Sequence, residues 1–220
     1  MAAAASGVTK TIGKAAAMAS VAAATTLAAQ GAASRGAVAR APGAVRVRPG
    51  LVRDCERIAA FNEETAWVTE ARRLDPATAR AGALRVLTDA NKGFYLVAEA
   101  CEPARDAQGL ATAGEGEAQI VGSCMVTLEW SDWSNRDIWW LQSVYVVPEY
   151  RGRGVFRALY NAVRERCIQD PLAAPKVRLY VEKENLAAQA VYAKVGMAEA
   201  RYLFFEEDLS RAKDDATASS

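Results

Sequence analysis

No histidine occurs anywhere in the 220 residues. That absence excludes Ser-His and Cys-His nucleophilic machinery, and it leaves proton transfer to carboxylates, tyrosine, water or the backbone. The four cysteines, Cys55, Cys101, Cys124 and Cys167, are widely spaced and form no C-x-x-C pair. Without histidine or paired cysteines there is no zinc pattern. No metal is expected, and the thiols read as small buried apolar groups of a reduced compartment. Acid is missing from the first part of the chain, since nothing before Asp54 is Asp or Glu. A net charge of +1 gives no electrostatic case for nucleic acid. Strongly apolar long runs are missing too. Ala15 to Ser34 is uncharged but mostly alanine, too weakly apolar for insertion into a bilayer, so no membrane partner is expected.

The acid-free start has its own character. Residues 1–40 are rich in Ala, Ser, Thr and Gly, with Lys10, Lys14, Arg35 and Arg40 scattered among them. This is the composition of an organellar transit peptide, with chloroplast ranked ahead of mitochondrion. A disordered low-complexity extension is the plainer alternative. Residues 41–209 suit one domain with ample core, and the polar, mixed-charge tail 210–220 reads as disordered.

Within the domain, periodicity gives the element order. Ala44 to Arg48 alternates as a short strand, and an Arg-Pro-Gly turn leads to a helix from Val52 to Ala66. A looser helical region covers Asp75 to Asn91, and Phe94 to Ala100 reads as a strand. Glu102 to Ala118, rich in Gly, Ala and acid, is expected to be a surface loop. Ile120 to Trp130 and Ile138 to Val147 are strands joined by a polar turn, short enough for an antiparallel pair. Lys176 to Val181 and Arg201 to Glu206 are expected strands, with a helix from Asn185 to Val195 between them and Gly196 as its C-cap.

The stretch Trp139 to Cys167, WWLQSVYVVPEYRGRGVFRALYNAVRERC, organises the rest. It begins as a buried strand, stops at Pro148, turns through Gly152 and Gly154, and then changes period. Val155, Leu159, Val163 and Cys167 recur every four residues, one face of a helix. A strand, glycine turn and helix in this order can cradle an anion, because the first helical N–H groups lack internal partners and carry partial positive charge. Arg151 and Arg153 add formal charge. No Gly-Lys-Ser/Thr follows, which excludes a nucleoside-triphosphate loop, and Arg157 stands where a dinucleotide fingerprint needs its third glycine.

Arg151-Gly152-Arg153-Gly154-Val155 after Val-Pro-Glu-Tyr resembles the coenzyme-A pyrophosphate loop, Gln/Arg-x-x-Gly-x-Gly/Ala, of the GNAT superfamily of N-acetyltransferases. Arg151 and Gly154 match, and Phe156 replaces the usual small residue. Asn185, Ala188, Tyr192 and Gly196 match the second signature of that family, Asn-x-x-Ala-x-x-x-Tyr before Gly-Phe, with Met197 in place of Phe. The resemblance covers residues 44–208. It implies an α/β fold of the GNAT type: a three-layer α/β/α arrangement with a mixed, mostly antiparallel central sheet, splayed at the acetyl-CoA site. It also implies that the first two helices wall the acceptor side, that backbone groups of Val144, Tyr145 and Val146 pair with the pantetheine amides, and that N–H groups from Gly152 through Val155 and Phe156 to Arg157 hold the pyrophosphate. Asn185 is expected to touch the cofactor arm, and a main-chain N–H near Val144 to polarise the thioester carbonyl.

The implied reaction is direct acetyl transfer from acetyl-CoA to a bound amine, by a monomer or homodimer. Tyr192 is the candidate general acid, since a phenol near 10 can protonate a thiolate whose conjugate acid lies near 8.5; packing under the cofactor is its plainer role. For the base, Gln142 replaces the expected strand carboxylate, and Glu129 is the leading candidate ahead of Asp132 and Asp137. Trp130, Trp133, Trp139 and Trp140 either line an acceptor pocket or serve as core or dimer contacts, and alternation puts Trp139 and Trp140 on opposite sheet faces. At neutral pH about one lysine amine in a thousand is neutral, against about one α-amine in several, so a weak base suits α-amines. The expected substrate is a protein N-terminal α-amine or lysine in an organelle. A small amine or amino acid, and a non-catalytic acyl-CoA-binding module, are the alternatives.

Overall fold

A computed structural model describes residues 45–105 and 111–209, with the side chains of 101–105 and 111–117 left aside. The expected transit peptide (1–40) and polar tail (210–220) lie outside the described residues. Five strands form one sheet in chain order: β1 (Val45–Pro49), β2 (Phe94–Arg105), β3 (Ala111–Ser131), β4 (Arg136–Val146) and β5 (Ala173–Leu179). The first four pair antiparallel and β5 joins β4 in parallel. That is the mixed, mostly antiparallel sheet expected of the sequence.

Helices cover both faces. On one side lie α1 (Cys55–Glu70) and α2 (Pro76–Thr88), whose Ile58, Ala59, Ala79 and Ala83 pack on Tyr95 and Val97. On the other lies α3 (Val155–Gln169), where Val155, Leu159, Val163 and Cys167 meet Leu96, Ala98 and Leu141. Burying each such aliphatic side chain contributes about 1.5–3 kcal/mol. The short α4 (Leu186–Lys194) buries no residue fully. Helix α2 starts as its sequence dictates: Asp75 caps it by accepting the Thr78 N–H at 2.9 Å, and Pro76 takes the first turn, where no N–H is needed. At the edge, Arg48 ties β1 to the start of α1 and to β2 through Asp54 (2.6 Å) and Glu99 (2.7 Å). Burial pushes the Asp54 carboxyl up, but Arg48 and the Leu51 N–H more than reverse this and hold it below the ordinary range.

Two expectations are corrected. Of the segment expected to loop from Glu102 to Ala118, residues 102–105 and 111–118 instead extend β2 and β3, with Pro103 opposite Glu115 and Arg105 opposite Ala111. Backbone ladders need no apolar alternation to form, so low hydrophobicity concealed them. The expected strand Arg201–Glu206 is not in the sheet. Tyr202, Leu203, Phe204 and Phe205 are exposed there, and the segment leans on the sheet through an edge-on contact between Phe204 and Tyr180.

Strand β4 makes the site possible. Its residues pair with β5 from Asp137 to Leu141, where Leu141 faces Leu179. Beyond Leu141, β5 has ended and β4 continues to Val146 with that edge unpaired among the described residues. On the β3 side, Cys124 faces Val144 while Val126 faces Leu141. Two β4 residues, Gln142 and Ser143, therefore stand opposite Met125. This bulge bends the strand and shifts its parity: Trp139 and Leu141 face α3, and so do Val144 and Val146. Tyr145 thus turns to the α1 face, where its ring stacks on Phe61 at 4.6 Å.

Candidate active site

The loop between β4 and α3 presents backbone donors that no acceptor among the described residues receives. Gly152 and Gly154 adopt left-handed φ of 70° and 84°, and among the described residues nothing beyond the local backbone stands within 4 Å of where a Cβ would be placed on either. Glycine is needed there for conformation, not for room. No side chain caps α3 at Gly154. The first helical bond runs from the Ala158 N–H to the Gly154 carbonyl at 3.0 Å, so the N–H groups of Val155, Phe156 and Arg157 precede the helical ladder. An open glycine cradle with orphan donors at the dipole's positive end fits a diphosphate. Arg153 lies over the Tyr150 ring. Arg151 is held back from the loop, its Nε donating to the Val146 carbonyl at 2.9 Å on the strand's free edge. Gly154→Ala is expected to raise the KM for acetyl-CoA about tenfold, because an L-residue in this region costs about 1–2 kcal/mol. Steady-state kinetics at saturating acceptor measures it.

Tyr192 on α4 faces this loop. Phe156, at the start of α3, meets its ring edge-on at 5.6 Å and also stacks with Tyr160. The bulky residue that breaks the loop pattern thus points towards Tyr192. Burial pushes the Tyr192 phenol above its ordinary value, with the Cys124 thiol adding a little. Among the described residues its hydroxyl has no hydrogen-bond partner, so it is a protonated donor awaiting an acceptor. Asn185 has a local task, capping α4 by accepting the Ala188 N–H at 3.1 Å.

Glu129 is not brought to this cleft. It faces Ile138 on β4, four residues before the free edge begins, roughly 13 Å along the strand. Its carboxylate accepts the Trp140 indole N–H and pairs with Arg178 at 3.3 Å, so its charge is already answered. Asp132 and Asp137 belong to the same closed end of the sheet. Gln142 is tied down as well, donating to the Thr127 hydroxyl at 2.8 Å. The four tryptophans do not share a pocket. Trp139 is buried against Phe94, Trp140 stacks on Tyr180 on the opposite face, and Trp130 and Trp133 are exposed.

The carboxylate that does meet the free edge is Glu64. It sits on α1 and accepts the hydroxyl hydrogen of Tyr145. Burial, then the Glu64 carboxylate, push the Tyr145 phenol up to about 12 against the opposing pull of Arg151 and Arg57. On the same side of the sheet, a cleft of about 540 Å³ opens between α1, α2 and the sheet and reaches Ser143, two residues before Tyr145. Its lining includes Ser143 of the bulge, Asn62 and Tyr95, whose side chains share a 3.2 Å hydrogen bond, and apolar Ala83, Val86 and Met125. Sequence reading missed Glu64 because its partner is 81 positions away. Its place on the α1 face three residues after Phe61 was the signal available.

Comparison with known proteins decides the family. The family model described as "Acetyltransferase (GNAT) family" matches residues 86–197, from α2 to just past α4. The chain belongs to the GNAT acetyltransferase family. A solved structure described as a possible acetyltransferase from Clostridium difficile 630 is 35% identical over 74% of this chain and 97% of that one, with a TM-score of 0.62. An aminoglycoside N-acetyltransferase in complex with CoA shares the fold at 17% identity, covering 78% and 99% of the two chains, with a TM-score of 0.56. A ribosomal-protein-alanine N-acetyltransferase from Brucella melitensis biovar Abortus 2308 does so at 16% identity, covering 75% and 99%, with a TM-score of 0.54. No match is found among curated proteins. This GNAT protein is therefore an acyltransferase with acetyl-CoA as its acetyl donor. Among the described residues, no group of three or more Cys, Asp or Glu could hold a metal ion, and no helix is long and apolar enough to cross a membrane.

Proposed function

We propose that this GNAT enzyme acetylates a primary amine, a protein N-terminal α-amine or a lysine in an organelle. The observation that carries the transfer reading is the unpaired edge of β4 from Gln142 to Val146, lying next to the uncapped start of α3. Acetyl-CoA supplies the activated acetyl group. Backbone groups of Val144, Tyr145 and Val146 offer the edge, and the N–H groups from Gly152 to Arg157 hold the diphosphate, with Arg151 released from Val146 to assist. Tyr192 donates its phenolic proton to the leaving sulfur and regains one from the attacking nitrogen, which sheds its extra proton as the tetrahedral intermediate collapses to the amide. Tyr145 accepts a proton from the acceptor ammonium as its own proton passes to Glu64, so the tyrosine ends neutral and Glu64 ends protonated. A phenol pushed to about 12 suits such a conduit, since it does not rest as an anion. The organelle reading, chloroplast before mitochondrion, is supported by the composition of residues 1–40.

The volume of the α1–α2 cleft, about 540 Å³, falls in the range of small-ligand sites and favours a second reading, a small amine or amino acid acceptor. The full chain incubated with acetyl-CoA, a peptide pool and a panel of small amines, with products read by mass spectrometry, separates them. Acetylated peptide termini or lysines support the first. Products confined to small amines move the function to metabolism.

A further inference from the structure

The cleft beside Ser143 carries an excess of positive charge, with Arg72 and Arg73 against Asp75 in its lining. Helix α1 ends at Ala71, which takes a left-handed φ of 51°, and the Arg72 N–H closes back on the Ala66 carbonyl at 3.2 Å. This is a left-handed helix C-cap, and Arg72 and Arg73, which follow it, are exposed residues of the cleft lining. The Arg73 guanidinium rests over the Trp67 ring at 4.8 Å, which holds it in place without neutralising it. Among the described residues, neither arginine forms an ion pair. One carboxylate lines the cleft, Asp75; it accepts both the Thr78 N–H and the Thr78 hydroxyl at the start of α2, which fixes its orientation and leaves its charge in place. Inside the rim the walls are apolar, with Ala83, Val86 and Met125, and the polar groups at the inner end are neutral: Asn62, Tyr95 and Ser143.

We propose that this cleft selects a primary amine carrying a carboxylate, the amine end placed at Ser143 and the carboxylate held by Arg72 and Arg73. The assignment rests on the acetyl-transfer reading above and names its substrate class. Guanidinium groups grip carboxylates through paired N–H donors, and an apolar middle section accommodates a short aliphatic spacer. A polycationic acceptor such as an aminoglycoside meets two arginines against the single carboxylate of Asp75, so it is disfavoured. An amine and a carboxylate set apart by a spacer occur in free amino acids that react through a side-chain amine, as lysine does, and in peptides with an acidic residue just after the terminus.

The test compares the full chain with the Arg72→Gln, Arg73→Gln double variant, using thiol release from acetyl-CoA as the readout. Its arms are free amino acids, peptides with Asp or Glu at the second or third position, the same peptides with Asn or Gln there, and an aminoglycoside. The wild type is expected to show a KM about tenfold lower for carboxylate-bearing acceptors than for their amides, the size of a charge-assisted contact. The double variant is expected to lose that preference while retaining its rate on the amides. Which anionic arm reacts names the source. Preference for the aminoglycoside or the amides, or a preference that survives the double substitution, overturns the proposal. Calorimetric binding of an N-acetylated acidic peptide to the two proteins separates the layers. Absence of turnover with every acceptor, together with binding about tenfold weaker in the double variant, overturns the transfer reading and keeps the anion-binding cleft. Equal binding to both proteins overturns the cleft itself.

Discussion

Tyr192→Phe is expected to lower kcat by about 100- to 10,000-fold, the range contributed by a positioned general acid, with little change in the KM for acetyl-CoA. The substitution removes one oxygen and keeps the ring that meets Phe156 edge-on, so α4 retains its packing against the start of α3. No protein partner loses a hydrogen bond, because among the described residues the hydroxyl has none. Stability by thermal denaturation should therefore stay near wild type while turnover collapses. A tyrosine that merely packs beneath the cofactor predicts the opposite: an almost unchanged kcat in the phenylalanine variant.

The pH profile sharpens this. The competent form of Tyr192 is the protonated one, and burial pushes its phenol upward. Activity lost through its ionisation therefore falls away only above the ordinary tyrosine value near 10. The alkaline limb of kcat in the wild type should lie above that value and vanish in Tyr192→Phe. A limb that persists unchanged in the variant assigns it to another group.

The sequence made the cofactor side of the site legible and hid the proton-accepting side, for physical reasons. Arg151 to Val155 and the four-residue recurrence from Val155 to Cys167 are local signals, and α3 starts and buries its face as that period requires. The left-handed turns at Gly152 and Gly154 follow from the residue type. By contrast, the bulge at Gln142 and Ser143 depends on how β3 is registered against β4, and two neutral polar residues carry no mark of it. Read without the bulge, strict alternation puts Tyr145 on the same face as Trp139 and Leu141, away from α1. The Glu64 contact cannot be seen until that parity shift is known. Glu129 looked suitable because it ends an apolar strand; Arg178, which neutralises it, lies 49 residues further on. The failed strand at Arg201 to Glu206 has the same origin, since alternation in RYLFFE reports a propensity and not a partner.

Glu64→Gln carries the second large effect, and it tests both the base and the acceptor. At neutral pH, kcat/KM is expected to fall by about 100-fold or more. Glutamine keeps the length of the side chain and an oxygen that can accept the Tyr145 hydroxyl, so the stacking of Tyr145 on Phe61 is preserved and only proton-accepting power is lost. A base is needed only while the acceptor amine is an ammonium ion. The deficit of Glu64→Gln should therefore shrink as pH rises through the amine's own pKa, near 8 for an α-amine and near 10.4 for lysine. The pH at which variant and wild type converge then reports the kind of amine in use. Tyr145→Phe distinguishes the route: an equal deficit means the proton passes through the Tyr145 hydroxyl, whereas a near wild-type rate means Glu64 takes it directly. A deficit for Glu64→Gln that stays constant across the whole pH range would show that Glu64 shapes the cleft and removes no proton, and the base would then have to be solvent.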